Sequence, residues 1–361
     1  MYTANQLFLI LSGLFFLALV FSLLVNSVFM RFFRTFGIRE DAPTMVRWNA
    51  SAKPAFGGIG FFIVFLFAFA AYGVLFPNNA SDPFQPKLLG LLAATGLGFL
   101  MGLADDAYDT RPLLKFATQV ACGVLLLGTG TGIHLFNIPA LDNTLTILWV
   151  VGMMNAINML DNMDAITTVV TLAILVAALI QLLPLGNAAD VNTVIIIAVC
   201  GAIGGFLFFN WHPSRMYMGD TGSQFLGVFI AYLGIRYFWN GTSLAGAIEP
   251  WRQISITAMV FILPLADTTT VSINRMLRGQ SPFVGGKDHT THFMSYAGLT
   301  DSQVAMVFGG LGLVSSFLSF IALRFIPVWR PLHSFLFLGY ALVVFIFLFG
   351  LTKRRRIDRP L

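Results

Sequence analysis

The sequence predicts an all-α protein: a polytopic integral membrane bundle of about eleven transmembrane helices with its candidate active site on the cytoplasmic face. Three observations predict it. Of the 361 residues, 57% are hydrophobic and only 10% charged, against roughly 25% charged in an ordinary soluble domain, so water is not the main solvent of this surface. Apolar stretches close to the about twenty residues that cross a ~30 Å hydrocarbon core recur along the whole chain. Lys and Arg, finally, collect in alternate connections between those stretches.

The first stretch, residues 7–29, is too long for a signal peptide, has no basic residue before it and lacks a small-residue cleavage pattern. It reads as a true span. The others are expected at 57–75, 88–104, 113–128, 144–160, 166–184, 193–209, 222–239, 253–273, 303–323 and 333–351. Between them, 129–145 mixes Gly, His, Asn, Pro and Asp with apolar residues and suits a hairpin or a re-entrant piece. Cys122 and Cys200 fall inside spans, where a thiol behaves as a small hydrophobe. No repeat, low-complexity run or linker divides the chain, so 1–361 reads as a single membrane domain.

Orientation follows from the basic residues, since positive loops stay in the cytoplasm. One set of connections carries Arg31, Arg34, Arg39, Arg47 and Lys53; Arg111 and Lys115; Arg215; Arg275, Arg278 and Lys287; and the tail from Lys353 through Arg356 with Arg359. The opposite set has only Lys87, Arg236, Arg252, Arg324 and Arg330. The N-terminus is therefore expected outside and the C-terminus in the cytoplasm. The net charge of +5 does not imply nucleic acid. No groove-sized basic patch interleaved with aromatics exists, and the basic tail abuts a span, where anionic lipid headgroups are the natural partner.

The acids share this one-sidedness. Asp105, Asp106, Asp109, Asp161, Asp164, Asp220 and Asp288 fall in cytoplasmic connections and Asp267 near a cytoplasmic helix end, whereas Asp82, Asp142, Asp190 and Glu249 are scattered outside. Adjacent acids such as Asp105 and Asp106 repel unless a cation or shared proton relieves them; the bland alternative is a solvated helix cap. Asn155, Asn158 and Asp161 recur every third position and line one stripe at a helix end. That stripe faces either a ligand or a neighbouring helix. In Gly219-Asp220-Thr221-Gly222-Ser223 an acid sits between glycines just before a helix, where free N–H groups favour phosphate and a hard cation suits Asp220. Arg275 and Arg278 precede His289 and His292, whose spacing could serve zinc; without Cys or an H-E-x-x-H pattern, hydrogen bonds to a diphosphate are the better reading. Lys53 precedes Gly57-Gly58, which permit close approach of a ligand or of another helix.

Taken in order, Asp105-Asp106, the Asn155 to Asp164 run, Asn210 through Met218-Gly219-Asp220, and His289-Thr290-Thr291-His292 resemble the polyprenyl-phosphate N-acetylhexosamine-1-phosphate transferases, glycosyltransferase family 4. The resemblance implies attack of a lipid phosphate, undecaprenyl phosphate, on the β-phosphorus of a UDP-N-acetylhexosamine, giving a lipid diphosphate sugar and UMP. It implies Asp105, Asp106 and Asp220 as catalytic, with Asp220 and Asp105 as metal ligands for Mg²⁺, which Mn²⁺ could replace. Lys53, Lys115, Asn158, Asp161, Asp164, Asn210, Tyr217, Arg278, His289 and His292 are then expected to bind substrate. It further implies the inner (cytoplasmic) membrane and a homodimer by analogy.

Departures narrow the branch. Ala165 stands after Asp164 where the family often has Gly, and Thr291 stands where the family has a middle His. Asp109 occupies a position where the pentapeptide translocases carry Lys. These favour the undecaprenyl-phosphate GlcNAc-1-phosphate transferase branch, acting in cell-envelope polysaccharide synthesis. The alternatives are the phospho-MurNAc-pentapeptide translocase and, from another class, a secondary transporter, whose ionisable residues should reach mid-bilayer.

Overall fold

A chain with this much apolar surface must pair its backbone internally, and helices do so within each segment. The computed structural model describes residues 2–32, 53–76, 85–183, 186–242, 246, 249–282 and 285–353, and all the regular structure among them is helical. The helices are α1 (Ala4–Phe32), α2 (Gly57–Leu75), α3 (Pro86–Tyr108), α4 (Pro112–Gly128), α5 (Pro139–Leu160), α6 (Ile166–Leu182) and α7 (Val191–Asn210). There follow α8 (Gly219–Gly234), which runs into a π-helical turn (Ile235–Trp239), then α9 (Pro250–Val260), α10 (Ile262–Leu277), α11 (Thr290–Tyr296), α12 (Asp301–Phe325) and α13 (Pro331–Leu351). Proline opens α3, α4, α5, α9 and α13, where its missing N–H has no helical partner to lose.

Among the described residues helix lies in each predicted stretch, but length and apolarity support fewer spans than the eleven expected. Seven helices among the described residues (α1, α2, α3, α5, α7, α12 and α13) are long and apolar enough to cross a membrane, and the pair α9–α10 makes eight. At 17 residues each, α4 and α6 reach about 25 Å, short of the ~30 Å core. The single span expected at 253–273 is instead two helices bent by 74°. Pro264 explains the break: its ring excludes the carbonyl of Val260, the last residue of α9.

The bundle is built around α8. Every residue from Thr221 to Gly234 is buried, and α2, α3 and α5 pack against it. The outer helices present large apolar side chains outward, Phe8, Leu24, Phe67, Phe317 and Phe335 among them, as a bilayer-facing surface does. Interhelical polar bonds add to packing: Ser22 Oγ donates to Ala202 O at 2.6 Å and Gln181 Nε2 to Ser319 Oγ at 2.7 Å.

Two expectations change at the end of the bundle away from the paired acids. Residues 129–138 form a short connection before α5 rather than a membrane hairpin. Asp142, read as a scattered outer acid, is buried and accepts the backbone N–H groups of Leu135 (3.3 Å) and Phe136 (3.0 Å), holding that connection to α5. The basic residues Arg34, Arg39, Arg47, Arg354, Arg355, Arg356 and Arg359, and Asp82, lie outside the described residues.

Candidate active site

Four chain segments meet at the opposite end. The last turn of α3 supplies Asp105 and Asp106, the first turns of α4 supply Lys115, the end of α5 supplies Asn158 and Asp161, and the start of α8 supplies Asp220. Lys115 Nζ bridges two of them, donating to Asp105 Oδ2 at 3.0 Å and to Asp220 Oδ2 at 2.5 Å. The other Asp220 oxygen accepts from Asn158 Nδ2 at 2.7 Å, and that amide also reaches Ser223 Oγ at 2.9 Å. The other Asp105 oxygen accepts from the backbone N–H of Thr110, at 3.0 Å, and from its hydroxyl. A left-handed Asp109 (φ 52°) ends α3 and turns the chain so that Thr110 faces back.

Asp106 has a different surrounding. Its carboxylate accepts the N–H of Asp220 (2.9 Å), the N–H of Thr221 (2.9 Å) and the hydroxyl of Thr221 (2.6 Å), so it caps α8 from a helix more than a hundred residues earlier. The first-turn N–H groups expected to be open to phosphate are thus occupied by a side chain. Gly102 and Gly58 permit this packing: a Cβ at Gly102 would lie 2.2 Å from Asp220 O, and one at Gly58 2.2 Å from Gly222 N. Between the two readings of Gly57-Gly58, the geometry therefore gives close packing of α2 on α8. The same contact pairs backbones, with Gly58 N–H to Met218 O at 3.0 Å and Tyr217 N–H to Pro54 O at 2.9 Å.

Asp161 stands at the end of α5 with three acids nearby. Burial, followed by the negative charges of Asp220, Asp106 and Asp164, pushes its carboxyl up to about 8. One lysine therefore faces an excess of carboxylates, and a divalent cation would relieve it.

A second cluster adjoins through the turn after α5. Asp164 is buried and accepts from Ser214 N (3.0 Å) and Ser214 Oγ (2.7 Å), with His212 Nδ1 at 2.9 Å. Lys53 Nζ donates to Ser214 Oγ at 2.9 Å and lies 5.0 Å from the centre of the Tyr217 ring. Asn210 is buried and fastens the turn rather than facing a cleft: its Oδ1 accepts from Ala165 N (3.1 Å) and Thr168 Oγ1 (2.6 Å), and its Nδ2 donates to Met216 O (3.1 Å). Ala165 takes the left-handed conformation (φ 65°) in which glycine is at ease, so the departure at this position keeps the turn at the expense of strain.

The histidines are built on α11. Asp267 accepts the N–H (2.8 Å) and hydroxyl (2.6 Å) of Thr290 and lies 2.8 Å from His289 Nδ1. His289 N–H donates to His292 Nδ1 at 3.2 Å. Burial lowers His292 to about 3, so its ring is neutral. Thr291 Oγ1 donates to Asn162 Oδ1 at 2.6 Å, tying α11 to the Asp161–Asp164 turn. Arg278 and Arg275 both bind Asp288, at 2.9 and 2.6 Å, and with Arg275 first their bonds and charges hold that carboxyl below its usual range. Arg278 Nε also donates to Asn274 O at 2.9 Å, so among the described residues its bonds stay on the α10–α11 connection.

Asn155 settles toward its helix-packing reading: its Nδ2 donates to Gln119 Oε1 at 2.7 Å, across to α4. Sequence reasoning missed Asp301, whose Oδ2 comes 3.5 Å from His212 Nδ1. In the sequence Asp301 reads only as the first turn of a helix, behind the Thr300–Gln303 capping box. Asp164, His212 and Asp301 bring ligand atoms within 4.8 Å of one another. Mg²⁺ prefers all-oxygen surroundings with several waters, which the Asp161–Asp220 region matches better than this mixed group does.

Comparison with known proteins indicates a membrane enzyme of the glycosyl- and phosphotransferase kind. Residues 88–238 match the model of the glycosyl transferase family 4, bearing out the resemblance carried by the motifs. The chain is 25% identical to the Bacillus subtilis (strain 168) protein named probable undecaprenyl-phosphate N-acetylglucosaminyl 1-phosphate transferase, over 85% of this chain and 82% of that one. It is 28% identical to the phospho-N-acetylmuramoyl-pentapeptide-transferase of Heliobacterium modesticaldum over 78% of this chain and 86% of that one. With the decaprenyl-phosphate N-acetylglucosaminephosphotransferase of Mycolicibacterium smegmatis it shares 25% identity over 74% of this chain and 71% of that one.

Proposed function

We propose that this protein transfers N-acetylhexosamine-1-phosphate, specifically GlcNAc-1-phosphate, from its UDP-sugar to undecaprenyl phosphate at the cytoplasmic face of the membrane. The observation that carries this reading is the convergence of Asp105 and Asp220 on Lys115, with Asp106 on the start of α8 and Asp161 close to Asp220 and Asp106, from four segments at one end of the bundle. In the reaction an oxygen of the lipid phosphate attacks the β-phosphorus of the nucleotide sugar. The bond from that phosphorus to the bridging oxygen breaks, and UMP leaves with the oxygen. One anhydride is exchanged for another, so the reaction is freely reversible.

Phosphoryl transfer needs alignment and charge neutralisation more than covalent help. Mg²⁺ fits the excess of carboxylates and would be held by Asp220 and Asp105, the two acids that Lys115 bridges, with Asp161 close by. Bound there, it would supply charge neutralisation of the phosphates. Lys115 positions Asp105 and Asp220 against each other, and Asp105 orients the lipid phosphate or takes its proton. Asp106 holds the start of α8, and so the backbone of Asp220, in place. Lys53, Asp164 and Tyr217 form the nucleotide side, with Asn210 supporting their turn. His289, fixed by Asp267, and His292 face the diphosphate.

The pentapeptide-transferring reading is less well supported, because Thr291 takes the middle histidine's position and bonds to Asn162. The test is a panel of UDP-GlcNAc, UDP-GalNAc and UDP-MurNAc-pentapeptide carrying radiolabel in the sugar. UDP-GlcNAc should yield butanol-extractable label; extractable label from the pentapeptide donor alone would replace this reading with the other branch.

A further inference from the structure

At the end of the bundle away from the acids, α9 begins beside the link between α12 and α13. A cavity of about 380 Å³ opens there, walled by Glu249, Trp251, Trp329, Arg330 and Ser334, within the range of about 300–1,000 Å³ that small-ligand sites span. Its walls are fixed. Trp329 stacks on Phe337 at 5.5 Å, its indole N–H donates to Ser334 Oγ at 2.8 Å, and its backbone N–H donates to Glu249 Oε1 at 3.3 Å.

The polar groups here are left incomplete in both senses. Glu249 Oε2 is buried with no donor, and Arg252 is 2% exposed with Nε and Nη2 lacking an acceptor among the described residues. Glu249 caps α9 and Arg252 stands in its first turn, with Arg252 N–H donating to Glu249 O at 2.8 Å, yet Glu249 Oε2 and Arg252 Nε and Nη2 do not satisfy one another. A buried unpaired guanidinium is costly. Glu249 and Arg330 both wall the cavity, so a ligand there would offer a cationic donor to Glu249 and an anionic acceptor to Arg330. Trp251, exposed and apolar, lines the opening, and Leu332 and Phe335 are exposed on the first turns of α13. Tryptophans in such a position mark the membrane interface, and their faces also favour an ammonium.

We propose that this end of the protein binds the zwitterionic headgroup of a phosphoethanolamine lipid. The ammonium donates to Glu249 beside Trp329, the phosphate accepts from Arg330, and the acyl chains lie along the exposed apolar flank. A phosphoglycerol headgroup offers Glu249 neutral hydroxyls but no cationic donor, and a phosphocholine headgroup has a cation without N–H bonds.

Native mass spectrometry of the purified full chain, offered phosphatidylethanolamine, phosphatidylglycerol and phosphatidylcholine in equal amounts, tests this. Phosphatidylethanolamine should be retained at least about tenfold over the other two, the scale of one charge-assisted hydrogen bond. Glu249→Gln should abolish that preference while leaving transferase activity as it was. Arg330→Gln is the second variant and should lower retention severalfold with unchanged thermal unfolding. Soluble phosphoethanolamine at equal concentration should not displace the lipid. Equal retention of all three lipids, preference surviving both substitutions, or displacement by the soluble headgroup would each overturn the proposal.

Discussion

Asp106→Asn separates a structural role from a chemical one. The Asp106 carboxylate accepts three hydrogen bonds from the first turn of α8: two backbone N–H groups and the Thr221 hydroxyl. An asparagine keeps one oxygen, which best stays with the two Thr221 donors. Its NH₂ group then faces the Asp220 N–H, so one charge-assisted bond is lost, at about 1.5–3 kcal/mol, and the remaining two weaken. The expected loss is about 2–3 kcal/mol of stability, in line with the upper range for removing a helix cap. Because the Asp220 backbone is what moves, turnover should fall as well. Chemical denaturation in mixed micelles reads the stability and UMP release reads the turnover, measured on the same preparation. Unchanged stability with activity lost would refute the capping argument and return Asp106 to the chemistry alone.

Other substitutions follow from the same geometry. Asp220→Asn should reduce turnover by orders of magnitude with the fold retained, whereas Asp142→Asn, at the far end, should lower thermal stability by about 1–2 kcal/mol and leave turnover per folded molecule unchanged; equal activity loss in both would remove Asp220 from the site. Ala165→Gly should relieve left-handed strain and stabilise by about 0.5–1 kcal/mol, seen as a higher denaturation midpoint; a lower one would show that Ala165 is unstrained. His292 is held neutral down to about 3, while an unfolded histidine takes up a proton near 6.5. Its contribution to stability is therefore present above about pH 6.5 and is lost as pH falls toward 3, by up to about 1.4 kcal/mol per pH unit. A denaturation series from pH 7 to 4.5 should show this slope and His292→Gln should flatten it; identical slopes would assign the acid sensitivity elsewhere.

Much of the architecture was legible in the sequence because lipid imposes a simple rule: helices must be apolar and about twenty residues long. The acids and basic loops told which ends belonged together, and the bonds joining Asp105, Lys115, Asn158 and Asp220 form at one of them. What the sequence does not reveal is which partner each polar residue chooses. Asp105 and Asp106 are neighbours with the same chemistry, yet one turns to Lys115 and Thr110 and the other to a helix 114 residues later. Asn210 looks like a ligand and serves as a turn fastener, and Asp142 looks stray and is buried. The bend before Pro264 had a visible signal; the count of hydrophobic residues overrode it. Asp301 carried no signal, since a helix cap and a site residue are written in the same letters.

If the acid cluster moves a sugar phosphate onto a lipid phosphate, UMP is released only when the lipid acceptor is present. The most direct measurement is UMP release by purified protein in detergent, with UDP-GlcNAc and Mg²⁺, in the presence and absence of undecaprenyl phosphate, and with the metal chelated. UMP should form only when lipid phosphate and metal are both present; release independent of the lipid, or none from folded protein under any of these conditions, would contradict the account.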